Sequence, residues 1–205
     1  MDQLINKLKN IKIIPVITIN NSNHAVPLAK TLVDNGLPCA EITFRTSAAI
    51  EAIQKMRGEF PTLLIGAGTI LTIDQVEQAM NAGADFIVSP GFNPKIVSYC
   101  QNNNIPIIPG INSPSLVEQA LELNLSVVKF FPAEPSGGIA MLKALSTVYP
   151  IQFMPTGGIT MSNIEQYLEL PSIIACGGSW MVPSNLIEQE DWTALGKLVY
   201  DAANL

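Results

Sequence analysis

Residues 63–90 read LLIGAGTILTIDQVEQAMNAGADFIVSP, and the hydrophobic period changes twice within them. A short apolar run from Leu63 to Thr69 gives way to helical spacing from Ile73 to Asn81, and then to a second apolar run, Phe86 to Pro90. Thr72 stands where a side-chain oxygen can accept a hydrogen bond from the first helical turn, and Gly83 stands where a left-handed cap would end the helix. The stretch therefore reads as strand, helix, strand. Strands that are apolar on both faces belong to parallel sheets crossed by helices.

The same unit repeats outward in both directions. Upstream lie KIIPVITI from Lys12 and CAEITF from Cys39; downstream lie PIIPGI from Pro106, SVVKFFP from Ser126, QFMPTGG from Gln152 and SIIACGG from Ser172. With the first two runs these make eight strands. Helical spacing predicts helices over His24 to Asn35, Ser47 to Arg57, Pro94 to Asn103, Pro114 to Leu123, Ile139 to Val148, Asn163 to Leu168 and Trp192 to Ala203. Ser22 or Asn23, Thr46, Asn93, Ser113 and Ser162 are placed as further N-caps, and Asn35-Gly36 as a further helix end. The opening MDQLINKLKN reads as a short amphipathic helix, and Met181 to Glu190 as the longest stretch without a period. Right-handed crossovers close eight such units most economically as a barrel. A doubly wound open sheet is the competing architecture, but no GxGxxG follows the first strand. The expectation is an α/β fold, a (β/α)8 TIM barrel with an N-terminal helix, as one domain over residues 1–205.

Composition narrows the function classes. Of the 205 residues 48% are apolar and 14% charged, so much apolar surface must be buried, part of it between subunits of a homo-oligomer. A net charge of -6 without a cluster of Lys or Arg offers no footprint for nucleic acid or anionic lipid. No apolar run reaches the ~20 residues of a membrane span, and the N-terminus lacks a signal-peptide core, so a cytoplasmic protein is expected. Cys39, Cys100 and Cys176 are odd in number and widely spaced, which suits reduced structural thiols. A single histidine, His24, opens the first crossover helix and reads as solvated; histidine chemistry and a histidine-based metal site are poorly supplied.

In barrels of this kind the active site lies at the carboxyl ends of the strands. Lys129 sits there in Ser126-Val-Val-Lys-Phe-Phe-Pro, and alternation puts Val127, Lys129 and Phe131 on the inward face. An ammonium so placed is expensive unless paired, and a neutral lysine amine is the nucleophile that turns a keto group into an imine. Lys12, at the amino end of its strand, is the contrasting case. Glu41 interrupts the apolar Cys39-Ala-Glu-Ile-Thr-Phe-Arg, with Thr43 and Arg45 on its face. It must be paired, hydrogen-bonded or protonated, and either proton transfer or a plain ion pair with Arg45 would account for it. Arg45, one of two arginines, suits a substrate carboxylate. Thr69 after Gly66-Ala-Gly can donate to an anion, and Pro90 and Phe131 would wall a pocket. Pro155-Thr-Gly-Gly and Cys176-Gly-Gly-Ser follow the seventh and eighth strands, where barrels bind phosphate with backbone N–H groups. Gly137-Gly138 would shape a loop beside Lys129, Glu134 reads as surface, and Trp180 and Trp192 read as packing.

Taken together, His24-Ala-Val-Pro-Leu-Ala-Lys, Glu41-Ile-Thr-Phe-Arg-Thr, Gly66-Ala-Gly-Thr, Ser89-Pro-Gly, Ile107-Ile-Pro-Gly-Ile, Lys129-Phe-Phe-Pro-Ala-Glu, Pro155-Thr-Gly-Gly-Ile and Gly177-Gly-Ser-Trp resemble the 2-keto-3-deoxy-6-phosphogluconate (KDPG) and 4-hydroxy-2-oxoglutarate (KHG) aldolase family. The likeness covers nearly the whole chain. It implies Lys129 as the imine-forming lysine, Glu41 as general acid–base, Arg45 and Thr69 on the pyruvate carboxylate, and Thr156 steering aldehyde stereochemistry. It places phosphate on Gly157, Gly158, Gly178 and Ser179, and implies a homotrimer with no metal or cofactor. Pyruvate and a phosphorylated keto acid would be its small-molecule partners. The family often has leucine at the position of Phe44, cysteine at Met154 and Ala-Asn at Pro135-Ser136; the last departure bears on the loop near the substrate. A phosphogalactonate-type aldolase, a phosphosugar epimerase and a non-catalytic phosphosugar-binding barrel are the alternatives, and the resemblance implies oxaloacetate decarboxylation through the same imine as a side activity.

Overall fold

The computed structural model describes residues 1–205. Its sheet is all parallel: β1 (Ile13–Ile17), β2 (Cys39–Thr43), β3 (Leu64–Gly68), β4 (Phe86–Val88) and β5 (Ile107–Ile108) run side by side. β6 (Gly110–Ile111), β7 (Val127–Phe130) and β8 (Gln152–Pro155) continue it, and β9 (Cys176–Gly178) pairs with β1. Bridges from Phe153 to Ile173 and from Thr156 to Gly177 join the eighth position to the seventh and close the barrel. The expected fifth strand is one barrel position broken at Pro109. A proline has no N–H for the ladder, and Gly110 beyond it lets the Pro90 backbone approach so closely that a β-carbon there would collide with the Pro90 carbonyl.

The helices fall between the strands as the period predicts: α2 (Ala25–Asp34), α3 (Ala49–Glu59), α4 (Ile73–Ala82), α5 (Pro94–Asn102), α6 (Pro114–Glu122), α7 (Gly138–Val148), α8 (Ile164–Leu168) and α10 (Trp192–Ala203). Thr72, Asn93 and Ser113 accept from the first-turn amides of Gln75, Lys95 and Leu116, and Gly83 ends α4 at φ 103°. Three capping expectations are corrected. Asn21, rather than Ser22 or Asn23, caps the single 3-10 turn before α2. Thr46 donates its hydroxyl to the Ile19 carbonyl at 2.5 Å, and α3 starts three residues later without a side-chain cap. Asn163, not Ser162, holds the turn before α8, accepting from the Thr160 amide at 2.8 Å. The stretch from Met181 to Glu190 is not irregular throughout, because it contains α9 (Ser184–Glu188).

Two apolar clusters divide the protein by layer. The larger lies between the sheet and its helices. The smaller fills the barrel itself: Ile14, Cys39, Leu64, Phe86, Val88, Ile108, Val127, Met154, Ile174 and Ala175 pack with Leu4, Ile5 and Leu8 of α1 (Asp2–Ile11). α1 is thus the stopper of the barrel's amino end. Lys12, just after it, is exposed at that same end. The interior is apolar at the bottom, so polar inward side chains have only the carboxyl end left to them. No helix is long and apolar enough to cross a membrane.

Candidate active site

Two strand positions above the bottom core, the interior changes character. On β2, Cys39 belongs to the stopper cluster and Glu41 is the next inward residue; on β7, Val127 and Lys129 repeat the relation. Lys129 Nζ donates to Glu41 Oε1 at 3.1 Å, with Lys129 5% and Glu41 0% exposed. The pair joins strands 88 residues apart in sequence. Neither ion could be buried here alone at tolerable cost. The space for the carboxylate comes from Gly68 on β3, where a β-carbon would stand 2.8 Å from Glu41 Cγ. Gly66 below it makes room for the Phe86 ring in the same way, at 2.5 Å. Glu41 pairs with Lys129 and not with Arg45, so the plain Glu41–Arg45 ion pair does not form. Glu41 Oε2 remains buried without a hydrogen-bond partner.

Above this pair opens a cleft of about 500 Å³. Among its walls are Arg45, Phe131, Thr156, Gly157, Gly158, Gly178 and Ser179, seven of the residues singled out in the sequence, contributed by four different strand ends. Lys129 lies beneath it, its Nζ 5.4 Å from the centre of the Phe131 ring. Arg45 is exposed and no carboxylate of the chain lies within ion-pairing distance of it. The other arginine, Arg57, is fully spent on structure: it donates to the carbonyls of Gly83, Pro61 and Leu63 and to Asp85. Only one arginine is therefore available for a ligand.

The far end of the cleft is built from backbone. Gly157 and Gly158 take successive left-handed conformations, φ 100° and 83°, which side chains other than glycine rarely adopt. The amides of Gly157, Gly158 and Ser179 donate to no group of the chain. Free N–H groups at the ends of the last two strands can accept an anion as partner. Buried Thr156 has an unpartnered hydroxyl, fitted into space that a β-carbon on Gly177 would fill. Unsatisfied buried atoms of this kind call for a partner, and three of the chain's four, on Glu41, Thr156 and Trp180, cluster around this cleft.

Not every expected residue lines it. Pro90 lies in a separate, smaller depression with Ile70, Leu71 and Phe92. Thr69 lines neither, but follows Gly68 directly and is held at φ 59°, a strained conformation for a threonine at a strand end. Val16, Thr18, Trp180, Pro183 and Ser184 line the cleft without having been singled out for it. Val16 and Thr18 show the inward alternation of β1 and could have been read from it. Trp180 does pack, over the face of Gly178, yet it also forms part of the wall. His24 is a correction: it is 6% exposed rather than solvated, with Nε2 3.3 Å from Glu190 and its ring edge-on to Trp192. Nothing local in the sequence announces that contact. The three cysteines are free and buried, and burial pushes the Cys176 thiol up to about 12 and the Cys100 thiol up to about 11.

Comparison with known proteins places this geometry among relatives. The sequence model described as KDPG and KHG aldolase matches residues 4–198. A 2-dehydro-3-deoxy-phosphogluconate aldolase of Haemophilus influenzae is 52% identical over 204 residues, covering 99% of this chain and 96% of that one. The KHG/KDPG aldolase of Escherichia coli is 39% identical over 93% of this chain and 90% of its own. Among solved structures, a KDPG aldolase from Legionella pneumophila, with pyruvate captured as a covalent carbinolamine, superposes with a TM-score of 0.92 at 40% identity, covering 96% of each chain.

Proposed function

The chain belongs to the KDPG and KHG aldolase family, and from that premise we propose that it cleaves 2-dehydro-3-deoxy-6-phosphogluconate to pyruvate and glyceraldehyde 3-phosphate through an imine on Lys129. The observation that carries the reading is the buried Lys129–Glu41 contact, 3.1 Å long, directly beneath a cleft with one unengaged arginine and free backbone amides.

The chemistry follows from that arrangement. Having passed a proton to Glu41, the Lys129 amine attacks the C2 keto carbon, and the carbinolamine loses water to give an iminium, an electron sink for the bond to be broken. Glu41 lies within hydrogen-bond reach of Nζ, so it can move protons during both addition and dehydration. The same carboxylate, through a water, takes the C4 hydroxyl proton. The C3–C4 electron pair then flows into the iminium, releasing the aldehyde and leaving an enamine. Protonation at C3 and hydrolysis return the lysine and free pyruvate. Arg45 holds the pyruvate carboxylate by its planar fork, and the family resemblance adds the Thr69 hydroxyl, at the end of β3. Thr156 lies between Lys129's strand and the glycine turns, which suits a hydroxyl contact with the aldehyde portion. Gly157, Gly158, Gly178 and Ser179 take the phosphate, while Phe131 gives the keto-acid end an apolar wall.

The phosphate seat favours the phosphogluconate-type substrate over 4-hydroxy-2-oxoglutarate, whose far end is a carboxylate. Pyruvate release from the two, followed with lactate dehydrogenase and NADH, tests this: kcat/KM is expected to be higher for the phosphorylated substrate, and the reverse order would overturn the assignment. The family resemblance also leads us to propose a homotrimer. It is supported by the apolar ledge beside the barrel mouth, where Leu71 is 57% exposed next to Phe92. Light scattering should return about three times the 22.1 kDa chain mass, and a monomer would refute it.

A further inference from the structure

The Gly157-Gly158 turn does not hold itself. Its two left-handed residues leave the chain free to relax unless something fixes it, and the neighbouring contacts converge on Glu134. The Glu134 amide donates to the Gly157 carbonyl at 3.0 Å, and the Ala133 amide donates to the Thr156 carbonyl at 2.8 Å. A β-carbon on Gly158 would stand 2.6 Å from Glu134 Cγ, so the Glu134 side chain lies flat against the turn. Its carboxylate is not loose. The hydroxyl of Tyr167, a side chain with no solvent exposure, donates to Glu134 Oε1. Burial, followed by the adjacent Glu134, pushes that phenol up, so it stays a donor over the whole physiological range. Gly138 leaves room for the meeting, since a β-carbon there would be 3.0 Å from Glu134 Oε1 and 3.1 Å from the Tyr167 hydroxyl. From the other side, Asn163 Nδ2 donates to the Gly158 carbonyl at 3.0 Å while its Oδ1 accepts from Thr160.

We propose that Glu134, clamped by Tyr167 and opposed by Asn163, is a positioning residue for the Gly157-Gly158 turn and thereby sets how well the phosphorylated end of the substrate is held. The inference rests on the reading of that turn as the phosphate seat. Glu134 also lies five residues beyond Lys129 on the same strand-to-loop path, so the clamp fixes the distance between the imine carbon and the anion seat. A turn that relaxes by a fraction of an ångström costs binding energy at the phosphate while leaving the lysine untouched.

The test compares the wild type with Tyr167→Phe and Glu134→Ala on 2-keto-3-deoxy-6-phosphogluconate and on its unphosphorylated counterpart, 2-keto-3-deoxygluconate. It adds the rate of borohydride-trapped adduct formation with pyruvate alone. Both variants are expected to raise KM for the phosphorylated substrate by about tenfold, the scale of one lost hydrogen bond in a binding site. KM for the unphosphorylated substrate, kcat and the trapping rate should move by no more than about twofold. Equal losses on both substrates, or slower trapping, would mark a general folding defect and overturn the assignment, as would no change in any of them. A wild type that does not distinguish the two substrates would remove the phosphate seat and the clamp's role together. A wild type that does, with Tyr167→Phe and Glu134→Ala keeping the same distinction, would remove the clamp alone.

Discussion

A β-carbon on Gly68 would lie 2.8 Å from Glu41 Cγ and closer still to its carboxylate, with β2 and β3 locked in register across five residue pairs and unable to part. Gly68→Ala must therefore push Glu41 off its contact with Lys129. A catalytic group misplaced by about 1 Å costs on the order of 100-fold in rate. We expect kcat to fall on that scale while circular dichroism stays unchanged; normal turnover would show that Glu41 is not held by this glycine. Glu41→Gln keeps the shape and removes the proposed base, so it should cut kcat by roughly 10² to 10⁴ and still allow slow trapping of pyruvate on the lysine. At this scale Lys129 and Glu41 were legible because each is a lone charge at an inward position of an otherwise apolar strand. Their pairing was not, since 88 residues separate them and alternation gives a face, not a partner. For the same reason Glu134 was correctly placed at the surface, where it is exposed, but without its Tyr167 partner, and His24 read as solvated although it is buried against Trp192.

The element that closes the barrel's amino end is α1, and Leu8, fully buried, is its deepest side chain. Its removal leaves a cavity in the cluster that fills the barrel's bottom, which strands fixed on both sides cannot collapse to fill. Leu8→Ala is expected to cost about 2–5 kcal/mol of stability, read as a lowered urea midpoint with an unchanged slope. A loss below about 0.5 kcal/mol, typical of surface substitutions, would mean that α1 is not a stopper. Helix periods located the elements well, and the caps succeeded where Thr72, Asn93 and Ser113 faced only their own helices. Thr46 failed as a cap because the Ile19 carbonyl on a neighbouring strand end offered it a tertiary partner. The fifth strand divided because Pro109 and the close approach of the Pro90 backbone are properties of the closed barrel, while the apolar run PIIPGI looks continuous.

Across the whole molecule, burial holds all three thiols protonated, each with a folded pKa above the unfolded value of ~8.5. Such groups contribute stability that is complete below the unfolded pKa and is lost as pH rises toward the folded values, about 11 for Cys100 and about 12 for Cys176. The urea midpoint should accordingly fall between about pH 9 and 11, each thiol contributing up to about 1.4 kcal/mol per pH unit. Cys176→Ala should show a shallower decline than the parent; identical slopes would contradict the burial of that thiol. The alternation that announced eight parallel strands also fixed which end of the barrel could carry chemistry, since α1 fills the other. The cleft's depth and its unsatisfied atoms depend on closure and could be seen only in the folded chain.

The central claim is that Lys129 forms an imine with pyruvate. Incubating the protein with pyruvate, reducing with sodium borohydride and mapping the adduct by peptide mass spectrometry tests it directly, with Lys129→Met as the paired sample. The account predicts a single reduced pyruvyl adduct on the peptide containing Lys129, absent from Lys129→Met. An adduct on another lysine, or none on folded protein that still cleaves the keto acid, would contradict it.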